Sequence, residues 1–221
     1  MRSTRDYNEV GENNARVRSI IAYNTDSKVT PTIRSNGILI AQITPQGGSI
    51  SGNSAVVQLD AWNWEDAAIK SDDALHLNWP RISVQNNRGS ESGEADKSRA
   101  DEELKALEFI FSNAQNYCSS KPQTINLNLE AFRKVFTREK KVFVHTEGAR
   151  EMINAVEFLR PYGITPVIVG GDESFLIAGF LRKNQIAVVL LRTHTLPSLP
   201  EDDVDLPYKL PKILLDSGVL Y

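Results

Sequence analysis

Val142-Phe-Val-His-Thr-Glu-Gly-Ala-Arg150 decides the fold class. Apolar and β-branched residues run into His145, a polar turn follows, and residues 149–159 continue with helical periodicity. That order predicts a buried strand delivering a histidine at its C-terminal end, the edge where barrels and open α/β sheets keep their chemistry. The pattern recurs twice. Thr165-Pro-Val-Ile-Val-Gly-Gly171 precedes a helical segment over 174–181, and Ile186-Ala-Val-Val-Leu-Leu191 precedes one over 210–215. Strand–helix units in succession predict a parallel sheet. Asp172 or Ser174 is placed to cap the helix after the second strand. The Gly170-Gly171 pair could cradle an anion at that helix start, but Asp172 and Glu173 would repel it.

Working back toward the N-terminus, residues 1–26 are polar apart from Val17-Arg-Ser-Ile-Ile-Ala22. A helix is expected over 28–35, capped by Asp26 or Ser27 and stopped by Asn36-Gly37. Ile38-Leu-Ile-Ala-Gln-Ile43 reads as a continuous apolar strand covered on both faces. Thr44-Pro-Gln-Gly-Gly-Ser-Ile-Ser-Gly-Asn-Ser54 follows as a loop with three glycines. Such a loop after a buried strand is placed to approach a ligand with its backbone, with a plain surface loop as the alternative. It lacks the Gly-Lys-Ser/Thr ending of a phosphate loop. Residues 55–59 suit a short strand, Trp62 and Trp64 suit packing or a pocket wall, and His76 alternates with apolar residues as a structural histidine would. Residues 84–99 carry almost no apolar content and read as a flexible insertion. A helix from Ala100 follows with Leu104, Leu107, Ile110 and Phe111 on one stripe, and a second over 129–136.

The totals exclude several function classes. The chain has 221 residues, enough for one large domain or two small ones, with 41% apolar and 24% charged residues. A net charge of −3 with mixed signs offers no surface for nucleic acid. No apolar run approaches the roughly 20 residues needed to cross a bilayer, so no membrane partner is expected. The N-terminus lacks the apolar core of a signal peptide, and a cytoplasmic location is expected for the chain as it stands. The lone Cys118 excludes an internal disulfide and a cysteine-built zinc site within one chain, and reads as a passive thiol.

Arg34-Ser-Asn-Gly-Ile38, the loop 45–54, Val57-Gln-Leu-Asp-Ala-Trp62 and Val144-His-Thr-Glu-Gly148 together resemble the amidohydrolase superfamily, most closely its imidazolonepropionase-like branch. The strand ends around Gly170-Gly171, Arg192-Thr-His-Thr-Leu-Pro197 and Tyr208-Lys-Leu-Pro211 fit the same pattern. The resemblance covers most of the chain outside 84–126. It implies a (β/α)8 barrel that binds one or two divalent metals, zinc foremost, and hydrolyses C–N bonds such as those of cyclic amides. It places His145 at the fifth-strand metal ligand. It also makes the loop holding Gly47, Gly48 and Ser51 substrate-facing, together with His194.

The sequence departs from that pattern in three places. No His-x-His precedes residue 27, Gly170-Gly171 stand where the sixth strand supplies a histidine, and the chain ends before an eighth-strand aspartate. Residues 1–221 are therefore expected to form one incomplete barrel-like α/β domain, strands two to seven, with parallel strands and a helical insertion. The function expected is that of a partial metal-dependent amidohydrolase, acting on a small molecule in its complete form and inactive as an isolated chain. Two histidines and a carboxylate such as Glu147 would suffice for a metal in principle. No catalytic base is assigned. Missing strands would leave two unpaired sheet edges, a route to a homodimer. A non-catalytic α/β module that binds a small ligand or a partner is the alternative.

Overall fold

The computed structural model describes residues 8–81, 92–120, 123–197 and 202–221. Contacts divide the chain into two units, one of residues 1–78 and 112–141, the other of 79–111 and 142–221.

The first unit opens with an irregular segment and a 3-10 turn at Ser19–Ala22, then α1 (Val29–Ser35). The Ser27 hydroxyl accepts from the Val29 amide at 3.4 Å, and Asn36 and Gly37 end the helix through amides bonded to Thr32, Ile33 and Arg34 carbonyls. Three strands follow closely: β1 (Ile40–Ile43), β2 (Ile50–Asn53) and β3 (Ala55–Gln58). Next come α2 (Trp64–Ala67), capped by the Asn63 side chain on the Asp66 amide at 2.8 Å, then β4 (Ala68–Lys70) and β5 (Ala74–Asn78). β3 lies between β1 and β4, antiparallel to both, while β2 pairs antiparallel with β5. Ile20, Ala55, Val57, Leu59 and Ala67 form the apolar core of the three-stranded sheet.

Among the described strands of the first unit every pairing is antiparallel rather than the parallel arrangement expected along the chain, and parallel bonding there is limited to the bridges from Asn13 and Arg18 to β2. The connections explain why. A parallel pair needs a crossover of a dozen or more residues, usually a helix, and the links from β1 to β3 and from β3 to β4 are shorter than that. Two local expectations also change. The strand expected to be covered on both faces is an edge strand, with Ile38, Leu39 and Ile40 at 51%, 64% and 58% exposure. The loop expected over 44–54 contains the buried strand β2.

Ser54 is the single residue between β2 and β3. Its amide donates to the Ala74 carbonyl and its carbonyl accepts from the Asp73 amide, both at 2.9 Å. The free side of β2 is occupied by the N-terminal segment: Ile50 exchanges bonds with Glu12 and Asn14 at 2.9 and 2.8 Å, and the Asn53 amide donates to the Val17 carbonyl at 2.8 Å. The free side of β2 is therefore covered by the chain itself.

A long helix, α3 (Ser92–Ser119), contributes residues 112–119 to this unit. It starts eight residues before the expected Ala100, so residues 92–99 of the anticipated flexible insertion are helical; residues 84–91 lie outside the described residues. Glu94, Ala95, Lys97 and Arg99 are good helix formers, so intrinsic propensity favours helix there without an apolar stripe. The helix expected over 129–136 is two short turns, α4 (Leu127–Glu130) and α5 (Arg133–Phe136).

The second unit is the strand–helix series. β6 (Lys141–Thr146) leads to α6 (Ala149–Leu159), β7 (Val167–Gly170) to a 3-10 turn at Ser174–Ile177 and α7 (Ala178–Lys183), and β8 (Ala187–Val189) to α8 (Leu206–Asp216). β6, β7 and β8 are parallel neighbours in register, Phe143 beside Val167 and Val167 beside Ala187. Val144, Ile168 and Val188 are buried on the sheet, and Met152, Ala155, Leu159, Leu181 and Leu214 on the helices. Trp79 and Phe111 each meet Phe158 edge-on, with centroids 5.4 and 5.3 Å apart. The chain is mixed α/β, and among the described residues parallel strands close into a ring within neither unit. Among the described residues no helix is long and apolar enough to cross a membrane.

Candidate functional site

The parallel sheet of the second unit presents its C-terminal ends at Thr146, Gly170 and Val189. Alternation along β6 buries Val142, Val144 and Thr146 on one face and leaves Phe143 and His145 half-buried on the other. His145 sits one residue from the strand's end, beside Val169 of β7, and its carbonyl accepts from the Trp79 amide at 3.1 Å. Burial pushes its imidazole below the ordinary histidine pKa. Burial therefore favours the neutral form of the ring, the form that ligates metals.

The turn after His145 is tied down on both sides. Glu147 pairs with Arg81 at 2.8 Å, and its carbonyl accepts from the Glu173 amide at 3.1 Å. The Glu173 carboxylate accepts from the Ala149 amide at 2.8 Å, so an acidic side chain of the chain itself occupies the positive N-terminus of α6. Gly170 has φ +101°, and a Cβ there would lie 2.8 Å from the Thr146 carbonyl oxygen, which accepts from the Gly171 amide at 2.8 Å. The glycine pair therefore lets β7 turn tightly against the end of β6. Ser174 does not cap the following turn: it is fully buried, and its hydroxyl has no hydrogen-bond partner among the described residues.

Beyond β8 a narrow cleft is lined by Asp172, Glu173, Arg192, Thr193, Leu206 and Leu210. His194 is exposed on the same segment, its Nδ1 3.2 Å from the Tyr208 hydroxyl and its ring edge-on to that tyrosine. The other residues expected at a substrate site lie in the first unit. A Cβ on Gly47 would meet the Glu9 carbonyl at 2.7 Å, and one on Gly48 would collide with the Gly11 carbonyl, so their closest approach is to the chain's own residues 9–12. Ser51 is 1% exposed, and its hydroxyl accepts from the Asn78 amide nitrogen at 3.0 Å. The five residues singled out from sequence are therefore not one cluster: Gly47, Gly48 and Ser51 belong to one unit, His145 and His194 to the other.

Among the described residues no three histidine, cysteine or carboxylate side chains come together as metal ligands. A catalytic zinc takes three protein ligands. His145 offers one, and Glu147 is engaged by Arg81, so the described donor set does not fit the metal that the resemblance implies. Sequence reading passed over Arg81 and gave Glu173 no structural role. The acid pair after Gly170-Gly171 was the visible signal for Glu173; nothing marked Arg81.

No family model matches the sequence, and no curated protein matches it. Among solved structures, the backbone is similar to that of an amidohydrolase from Thermotoga maritima, with a TM-score of 0.81 and 18% sequence identity. The similarity covers 97% of this chain and 58% of the other, so the chain spans under two thirds of that structure's length. The fold is amidohydrolase-like.

Proposed function

We propose that this chain is part of an amidohydrolase-type hydrolase for C–N bonds, with a barrel-type arrangement and with His145 at a metal-ligand position. By itself it turns over no substrate. The imidazolonepropionase-like branch remains the favoured assignment on the motifs quoted above. One observation carries the reading: a half-buried histidine at the C-terminal end of a parallel strand, in a backbone that follows an amidohydrolase over 97% of its length. A divalent metal there would supply Lewis-acid activation of water. The described residues do not complete a cage for it, and no step through the metal is derived. What the chain's own residues do is disfavour the charged imidazole by burial and fix the turn beside it through Glu147–Arg81 and Glu173.

The alternative, a non-catalytic module, is favoured by one feature. The end of β7 is built for tight turning at Gly170 rather than for presenting a ligand side chain.

Zinc binding by the purified chain separates the two. The hydrolase reading expects weak zinc binding that His145→Ala abolishes, with no hydrolysis of cyclic amides. Zinc binding indifferent to His145→Ala would remove the ligand assignment and leave the non-catalytic module. Tight, stoichiometric zinc with hydrolysis would instead refute the claim that the chain is inactive alone.

A further inference from the structure

The first unit holds a concavity of about 410 Å³, open to solvent, whose lining is unusually cationic. Lys140 sits at its wall and is 8% exposed. Its ammonium donates to the neutral Asn53 Oδ1 at 2.7 Å and meets no carboxylate within ion-pairing distance among the described residues. Asn53 is itself buried and fixed, donating to the Ala15 and Val17 carbonyls at 2.7 and 3.2 Å. The lysine is thus held by a rigid neutral acceptor, with its charge uncompensated.

The rest of the wall does not compensate it. Arg18 is paired with Asp72 at 2.8 Å and Arg133 with Glu130 at 2.6 Å, which uses both carboxylates of the lining. Arg16 and Lys134, both exposed, have no ion-pair partner among the described residues. Five cations thus face two carboxylates in a chain whose net charge is −3. Burying a charge without a counter-charge is costly. Burial pushes the Lys140 ammonium below the usual lysine range, with neighbouring Lys134, Arg18 and Lys70 acting in the same direction and Asp72 opposing. An anion would relieve that cost, and three unpaired cations call for one bearing more than a single charge.

We propose that this pocket binds a small multiply charged oxyanion, phosphate or a phosphorylated small molecule, on Lys140, Lys134 and Arg16. Lys140 supplies a pre-placed, desolvated donor, and the two exposed side chains close around the ligand.

The test is calorimetric titration of the full chain with inorganic phosphate, and separately with pyrophosphate, replacing chloride at constant ionic strength. One saturable site per chain is expected. It should weaken by about a hundredfold in the doubly substituted Arg16→Gln/Lys134→Gln protein, because each of the two charge-assisted hydrogen bonds lost is worth about tenfold. Both positions are exposed, so folding is preserved where Lys140→Met could perturb it. Lys183→Gln, on α7, should leave the affinity unchanged. Tighter pyrophosphate than phosphate would assign the site to a phosphorylated compound, and equal affinities to a single oxyanion; both support the proposal. Absence of saturable binding, or binding that the double substitution leaves untouched, overturns it.

Discussion

Replacing Gly170 by alanine should destabilise the protein far more than the loss of one hydrogen atom suggests. Gly170 ends β7 at φ +101°, and the added Cβ would sit 2.8 Å from the Thr146 carbonyl oxygen, a backbone atom with no rotamer to yield. Holding a non-glycine residue in such a conformation costs about 1–3 kcal/mol. The overlap adds to this, because relieving it means moving the end of β6 and loosening the bond from the Gly171 amide to Thr146. A total of about 3 kcal/mol is expected, which for a chain of this size corresponds to a Tm lower by roughly 6–12 °C. Gly179 is the internal control. It lies in α7 with nothing within 4 Å of an added Cβ and no positive φ, so Gly179→Ala should stabilise by about 0.5–1 kcal/mol. Urea unfolding of the two variants beside the parent protein reads both signs at once. A Gly170→Ala protein within about 0.5 kcal/mol of the parent would show that strands β6 and β7 are not joined as described.

Two further outcomes follow from groups at the same edge. His145 is held below its unfolded pKa by burial, so the unfolded chain binds more protons than the folded one as pH falls past about 6.5. Its contribution is fully present above that pH and is lost on acidification toward the folded pKa; the urea midpoint should fall over this window, and less so in His145→Gln. Trp79 is buried against Phe158 with its Nε1 lacking a hydrogen-bond partner among the described residues. Trp79→Phe should therefore cost less than about 1.5 kcal/mol, since it removes an unsatisfied donor along with apolar area, whereas Trp79→Ala should cost about 3–5 kcal/mol in the same unfolding assay.

The second unit was the legible part of the fold. Its strands are short apolar runs, each followed by turn residues and a helical stripe, and α6 falls on residues 149–159 as read from periodicity. The first unit was not, for reasons that are physical. Ile50-Ser-Gly-Asn53 has almost none of the residues that favour strands, and it becomes one because β5, more than twenty residues on, and the segment 12–17 bond its two sides. Ile38-Leu-Ile40 looked buried because an apolar run carries no record of which face is covered. His145 at a strand end was readable. The Lys140 pocket was not: Glu139-Lys-Lys141 reads as a solvated charge run, and only the tertiary contact with Asn53 distinguishes the middle residue. The metal expectation rested on resemblance, and the described side chains around His145 do not assemble a set of three.

The one-residue junction at Ser54 has a consequence for how this chain tolerates insertion and deletion. Side chains alternate faces along a strand, so a shift of one residue turns every one of them over. With Ser54 alone separating β2 from β3, neither strand can slide without dragging the other, and there is no loop to absorb a change in length. A residue added between Asn53 and Ala55 must either bulge out, breaking the bonds from Ser54 to Ala74 and Asp73, or invert one strand and expose its buried face. Natural length variation and engineered insertions should therefore collect elsewhere in this unit, and this junction should be where permutation or domain insertion fails first.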